Sequence, residues 1–490
     1  MRKPSFLEIG IKASEWPQVL STPLPLPTMS DDMSWMKKGL KKRAVKDWFS
    51  DANVKPHKST TESASIIDAN SANPMFGIKT GTPLKAASTA QATNVGDKTV
   101  TPGYKPVLKL LKEEFTALET VQTYPGSKFN DLVITTLPLK PLNEVDPANP
   151  TFKPKEKTEC ILYAPTKYQI FCIPGFPEEP RHLKEKPYKI QDLPVRGKGL
   201  IATQQLQMGD LILAERPFII IPACWPVALS QADMIKYQRD VFREQENMLK
   251  RLLDRMDPAD RAAFMTLDNC LEEGARSGPI LDRIHTNSFG IHFDDEGSND
   301  FMKDGEVRMY SVVGKDISRV NHSCCPNAMF NFDKPSFSME LRAVRGIRKG
   351  EEITVCYHTG DIEPTAERQK LVAPYRFTCT CPACLSPTAT DAQYALIRQI
   401  TMENIKGTPI DVALRSLAVI EKHGLESNEI YFLYLMYVMQ YYEFKKDKQK
   451  ELEFRYKVFR RILAVQGRRQ AAASTVVPDL PQYRSWKDFI

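Results

Sequence analysis

Cys379, Cys381 and Cys384, set as C-x-C-x-x-C, constrain this chain more than any other stretch. A turn that short aims three thiolates at one point, but structural zinc takes four ligands in a tetrahedron. The fourth ligand must come from elsewhere in the chain. Cys324 and Cys325 are the candidates, because both sit in the polar loop Asn321–Asn327. A zinc shared in this way ties the cysteine turn to that loop and sets Tyr375 and Phe377 beside it. The alternative is three reduced thiols in a surface turn; the spacing favours metal.

Two other pieces lie within the same stretch. The loop reads Asn321-His322-Ser323-Cys324-Cys325-Pro326-Asn327. Downstream, Arg348–Glu351 is polar and turn-forming, and Ile353, Val355 and Tyr357 then alternate with Thr354 and Cys356, as a strand requires. Met339, Leu341 and Ala343 alternate with Glu340 and Arg342, which predicts a partner strand. Taken one at a time these residues read plainly. A strand-end Tyr357 packs, His322 is a hydrogen-bonded structural residue, and Asn321 and Asn327 cap turns. Glu351 and Glu352 are surface charges without an acid–base role, and Cys356 is core.

Together and in this order the pieces resemble the SET-domain protein lysine methyltransferases. The Asn-His-Ser-Cys loop, the Gly350-Glu351-Glu352-Ile353-Thr354 strand ending at Tyr357 and the cysteine tail match the family's motifs. Arg196-Gly197-Lys198-Gly199-Leu200, then Gly209-Asp210 and Glu215, look like its first strands. The resemblance covers roughly residues 190–386, under half the chain. It is nearest the SET–MYND branch, in which the fourth zinc ligand follows Asn-His-Ser; that register favours Cys324. No MYND finger is expected, since only Cys224 and Cys270 fall between the first strands and the Asn-His-Ser loop.

The implied fold is α+β: a SET β-fold of small curved sheets with knot-like threading, a helical insert, a post-SET zinc site and a helical C-terminal segment. The implied function is methylation of protein lysine with S-adenosylmethionine as donor and zinc as a structural ion. By the same resemblance, Arg196, Gly197, Lys198, Asn287, Ser318, Asn321 and His322 hold the donor. Phe377 covers its adenine, Tyr357 orients the amine and the methyl, and Tyr375 walls the lysine channel. The partner is a protein with a target lysine, histone or not, and nucleic acid is not required. A competing reading is a non-catalytic scaffold that binds protein or chromatin; the intact Tyr357 and Asn321-His322 favour the enzyme.

The rest of the chain sets the frame. At 490 residues there is room for about three domains. The net charge of +7 is a mild excess that does not by itself indicate nucleic acid. Ten cysteines, four of them expected on zinc, fit a reducing nuclear or cytoplasmic compartment. No apolar run is long enough to span a bilayer, and no apolar region follows the N-terminus, so neither a membrane segment nor secretion is expected.

Residues 1–155 are expected to be largely disordered with short helices. The segment 50–103 has few large apolar residues. Trp35–Phe49 is a basic island, and Val107, Leu111, Phe115 and Leu118 predict a helix over Val107–Val121. Residues 156–187 form a lead-in, with Cys160–Cys172 strand-like. Residues 188–360 hold the SET domain, its strands split at Gly197–Gly199 and Gly209-Asp210, with a helical insert over about 228–285. The post-SET motif spans 375–386. Residues 387–466 are helical, with Gly424 as a C′ residue and a protein partner possible for these helices. Residues 467–490 are a loose tail.

Overall fold

The computed structural model describes residues 120–122, 132–138, 156–223, 234–271, 277–293, 309–400, 404–405 and 407–474. Trp35–Phe49, the segment 50–103 and Cys224 lie outside these residues, as does all but the end of the helix expected over Val107–Val121.

Thirteen named strands fall into three sheets among the described residues. The first has six strands in the order β1 (Thr120–Gln122), β2 (Leu132–Leu137), β3 (Thr158–Tyr163), β7 (Ile219–Pro222), β9 (Met309–Val313) and β8 (Phe289–His292). All six residues of β3 and all four of β7 are buried. Ile161 and Leu162, and Ile219 to Ile221, are therefore apolar without alternation, as strands covered on both faces must be. The second sheet runs β10 (Asn321–His322), β13 (Glu352–Val355), β5 (Gly197–Ala202) and β4 (Tyr188–Leu193). Its edge strand β4 exposes Lys189, Ile190, Gln191 and Asp192, and charge on an edge blocks stray pairing. The third runs β11 (Ala328–Asp333), β12 (Ser338–Ala343) and β6 (Leu211–Glu215). The alternating Met339–Ala343 segment is thus a central strand with both faces buried, paired to β11 and β6.

Between β7 and β8 the insert forms α2 (Met234–Asp254), α3 (Pro258–Met265) and α4 (Pro279–Asn287). Met248, Leu249, Leu252 and Leu253 are buried along one stripe of α2. Glu246 of the same helix accepts from the backbone N–H groups of Ile280 and Leu281, both at 3.0 Å. That carboxylate supplies the cap that Gly278, lacking a side chain, cannot give α4.

Beyond the sheets come α5 (Thr365–Val372), α6 (Pro382–Leu385), α7 (Pro387–Arg398), α8 (Ile410–Lys422), α9 (Glu429–Phe444) and α10 (Lys448–Ala473). Gly424 has φ +66°, the left-handed C′ position expected of it. Asn428 caps α9 by accepting from Ile430 N at 3.0 Å. Arg460 of α10 pairs with Asp210 and donates to the Met208 carbonyl; Arg469 pairs with Asp333 at 2.9 Å and with Glu178.

Three sequence expectations are corrected. Cys160–Cys172 is a strand only to Tyr163; Ala164–Phe171 is a helix, α1, with Pro165 in its first turn, where a missing N–H costs nothing. Within residues 1–155, Leu132–Leu137 is a buried strand of the main sheet, and Thr120–Val121, expected at the end of a helix, belong to β1. The tail expected from residue 467 breaks at Gly467, at φ +82°, and then runs as a further helical turn through Ala473, where Arg469 meets the carboxylates of Asp333 and Glu178.

Candidate active site and metal centre

The cysteine turn is oriented by α5. Gln369 donates from its amide to the Cys379 carbonyl at 2.8 Å and accepts from Cys379 N at 2.9 Å. Cys381 precedes α6, and its carbonyl accepts from Cys384 N at 2.9 Å, which turns Cys384 back toward it. Here the turn meets the Asn-His-Ser loop. The Sγ atoms of Cys324, Cys379, Cys381 and Cys384 all lie within 4.8 Å of one another. Cys324 Sγ is 3.9 Å from that of Cys379 and 3.7 Å from that of Cys384. A tetrahedral zinc with bonds of about 2.3 Å puts its sulfurs about 3.8 Å apart, so the donor set fits that ion in type and spacing. Cys325 is buried beside it but outside the four, its Sγ 3.5 Å from Ser323 Oγ. Crowding splits the acidities. Cys381 is held far below the usual thiol range by Cys324, Cys325, Cys379 and Cys384, while Cys324 is pushed far above it by the other three thiols of the set.

One imidazole joins this cluster to Tyr357. His322 Nδ1 accepts from Tyr357 N at 3.1 Å, which leaves the proton on Nε2, 3.3 Å from Cys324 Sγ. His358 lies across from it, Nε2 at 3.8 Å from Cys324 Sγ and Nδ1 at 3.6 Å from Cys356 Sγ. Burial, then the Arg368 charge, lowers His358 to about 4, so its ring is neutral at pH 7. His322, Cys356 and His358 form a second close group, but both nitrogens of His322 are already engaged.

Beside the imidazole lies an aromatic cluster. Tyr357 lies just past β13, and its hydroxyl donates to the Val320 carbonyl at 2.7 Å. Its ring centroid is 5.0 Å from Tyr375, 5.2 Å from His322 and 6.4 Å from Phe377. Arg376, between the two other aromatics, takes the left-handed conformation at φ +57°. That reversal lets both neighbours meet Tyr357. Tyr375 is buried, while Phe377 remains 37% exposed, open to a ligand on its outer face. Burial raises the Tyr357 and Tyr375 phenols well above their usual range, so both are neutral.

The expected donor-binding residues fall into two groups. Asn321 on β10 donates to the Lys198 carbonyl at 3.2 Å and to Glu352 at 2.9 Å. Arg196 donates to the His322 carbonyl at 3.0 Å and pairs with Glu352 at 2.9 Å. The β5 backbone approaches closely: a Cβ at Gly199 would lie 2.9 Å from Asn321 Nδ2. Gly197 starts β5 at φ +65°. Asn287 and Ser318 form the second group, joined by a hydrogen bond from Ser318 Oγ to the Asn287 carbonyl at 3.1 Å. The Asn287 amide is spent on the Asp268 and Arg283 carbonyls. Glu351 and Glu352 are half-buried ties rather than surface charges. Glu352 holds Arg196 and Asn321, and Glu351 holds Asn327 and Arg345. Asn327 locks the loop to β13, accepting from Thr354 N at 2.8 Å. Sequence reasoning passed over His358 and Arg368, which lie in polar runs that carry no burial signal.

Residues 197–358 match the SET domain family model. The chain is similar to the human protein-lysine N-methyltransferase SMYD4, 41% identical over 16% of this chain and 10% of that protein. It is similar to the histone-lysine N-methyltransferase set5 of Schizosaccharomyces pombe, 25% identical over 40% of this chain and 50% of that one. Human histone-lysine N-methyltransferase SMYD3 is 30% identical over 29% of this chain and 33% of its own length. The chain thus spans at most half the length of these relatives. No helix among the described residues is long and apolar enough to cross a membrane.

Proposed function

We propose, from a chain whose residues 197–358 are a SET domain, that it transfers a methyl group from S-adenosylmethionine to the side-chain amine of a protein lysine. The observation that carries this reading is the convergence of Tyr357, Tyr375, Phe377 and His322 beside the Arg196–Lys198 and Asn321 edge. The bound donor supplies a sulfonium methyl that is electrophilic without metal or acid. Arg196, Gly197, Lys198, Asn321 and His322 hold its charged end, Asn287 and Ser318 shape the floor, and Phe377 covers the adenine. Tyr375 walls the lysine channel, where aromatic faces suit a cationic side chain on entry and exit. The amine must react neutral, and a free lysine has a pKa of about 10.4; a dry aromatic channel lowers it. Tyr357, neutral and anchored on Val320, orients the amine. Alignment of this kind is worth about 100-fold per ångström of misplacement. Cys324, Cys379, Cys381 and Cys384 hold one zinc ion with no open position, a structural role.

The substrate is a protein lysine, and the relatives' names make histones the first to try. Methyl-labelled donor with core histones and a protein lysate is the test. Lysine labelling by wild type, reduced at least about 100-fold in a folded Tyr357→Phe, is expected. Calorimetric binding of S-adenosylhomocysteine without labelling of any lysine points instead to the non-catalytic scaffold.

A further inference from the structure

Arg368 lies on α5 in the polar run Thr365-Ala366-Glu367-Arg368-Gln369-Lys370, yet its side chain is 0% exposed. Burying a cation without a close partner is among the costliest arrangements a fold can hold. The carboxylate that faces it, Asp391, stands 3.5 Å away, and the same Asp391 oxygen already accepts from Thr365 N and Thr365 Oγ1. Arg368 Nε is buried with no hydrogen-bond partner. The other guanidinium donors reach the Glu363 carbonyl, Thr365 Oγ1 at 2.8 Å, the Ala383 carbonyl at 3.3 Å and Cys384 Sγ at 3.7 Å. Its flat face lies 5.0 Å from the Tyr394 ring centroid. Asp361, another carboxylate that feels this charge, is engaged by Asn428, so the cation is fixed on all sides with its ion-pair partner at 3.5 Å, and it points a donor at a sulfur.

Four thiolates around a divalent ion carry a net charge of about −2. We propose that Arg368 is the counter-cation of this centre, a positioning residue that tightens its hold on zinc and pins the cysteine turn to α5 and α7. The inference rests on the zinc reading above. Arginine suits the place because one planar fork reaches a thiolate and three backbone or hydroxyl oxygens at once, which a lysine ammonium cannot do. Partners of this kind, one shell out from the metal, change metal affinity by roughly 10–100-fold when removed. Asp391 and Tyr394 on α7 close the cage around the guanidinium.

The test uses the full chain and zinc itself, with a chromophoric chelator as competitor and cobalt(II) substitution as a spectroscopic check. Wild type is expected to hold one zinc per chain, Arg368→Gln to hold it at least about tenfold more weakly, and Arg368→Lys to fall between them. A wild-type chain without zinc overturns the zinc reading and this inference together. Arg368→Gln with wild-type zinc affinity and an unchanged cobalt spectrum, but a lower melting temperature, overturns this inference alone and makes Arg368 a packing residue. Asp391→Asn keeps the test decisive if Arg368→Gln is insoluble. With the metal centre as the true counter-charge, chelation lowers its melting temperature more than it lowers that of wild type. Equal shifts overturn the proposal.

Discussion

The molecule has two cores that are stabilised differently. The first runs through the three sheets and the insert and is mainly aliphatic; Ile161, Leu162, Ile220, Val312 and Leu341 are all fully buried in it. Apolar area removed from water holds such a core, and no single side chain decides it. The second lies under α7 to α10. It contains Cys324, Cys325, Cys379, Cys381 and Cys384, the tyrosines 394, 431, 434 and 442, and beside them the buried Arg368, Arg460 and Arg461. To aliphatic packing by residues such as Leu417, Leu435 and Leu463 it adds particular ties among thiols and arginines. The difference teaches where the site is vulnerable: β10 belongs to the first region, its neighbour Cys324 to the second, and His322 touches both.

Metal removal should break the comparison most strongly. Chelation or Cys384→Ser should strip hydrogen-exchange protection from residues 365–398 and from β10 while β3, β7 and β9 stay protected. Structural zinc contributes on the order of 10 kcal/mol in small zinc domains, and loss of protection everywhere at once would show the two cores to be one unit. Next in size, Leu341→Ala should cost about 2–5 kcal/mol in urea unfolding by leaving a cavity among the strands, with zinc content unchanged. Arg460→Ala removes the Asp210 pair and the Met208 carbonyl bond that cross the seam. It should cost about 1–3 kcal/mol and loosen α10 before the sheets, as site-resolved exchange would reveal.

The smallest effect is a pH dependence confined to the first region. Burial, and then Asp316, raises the Glu215 carboxyl from 4.5 to about 7. A raised pKa gives stability that is complete below 4.5 and lost as pH rises through 7. Wild type should therefore weaken against Glu215→Gln between pH 5 and 8 by about 1 kcal/mol, a loss held down by the backbone N–H groups of Asp316 and Ile317, which favour the charged carboxylate. Denaturant midpoints at the two pH values check the sign.

Legibility followed how local the signal was. The cysteine turn could be read because three cysteines share six residues, and the Cys324 thiol lies within 4.8 Å of theirs. Tyr357 and the Asn321 loop stood out as motifs. Leu132–Leu137 did not, since six apolar-to-neutral residues in a polar surrounding look alike in a strand or a loop. Arg368 was invisible because a buried arginine on a short polar helix has the same sequence as an exposed one. The helical turn beyond the break at Gly467 was missed because Arg468 and Arg469 read as solvent-facing until Asp333 and Glu178 are seen opposite.

Strand β10 is two residues long and pairs in parallel with β13, which in turn pairs with β5 from far earlier in the chain. Two residues cannot hold a strand by themselves, and distant closures must be made before their contacts repay them. The edge that carries Asn321 and His322 therefore depends on closures between segments far apart in the chain. A ribosome has to deliver every residue through Cys384 before Cys324 can be drawn to the other three thiols, so a nascent chain with β10 and β13 already paired still lacks that cluster.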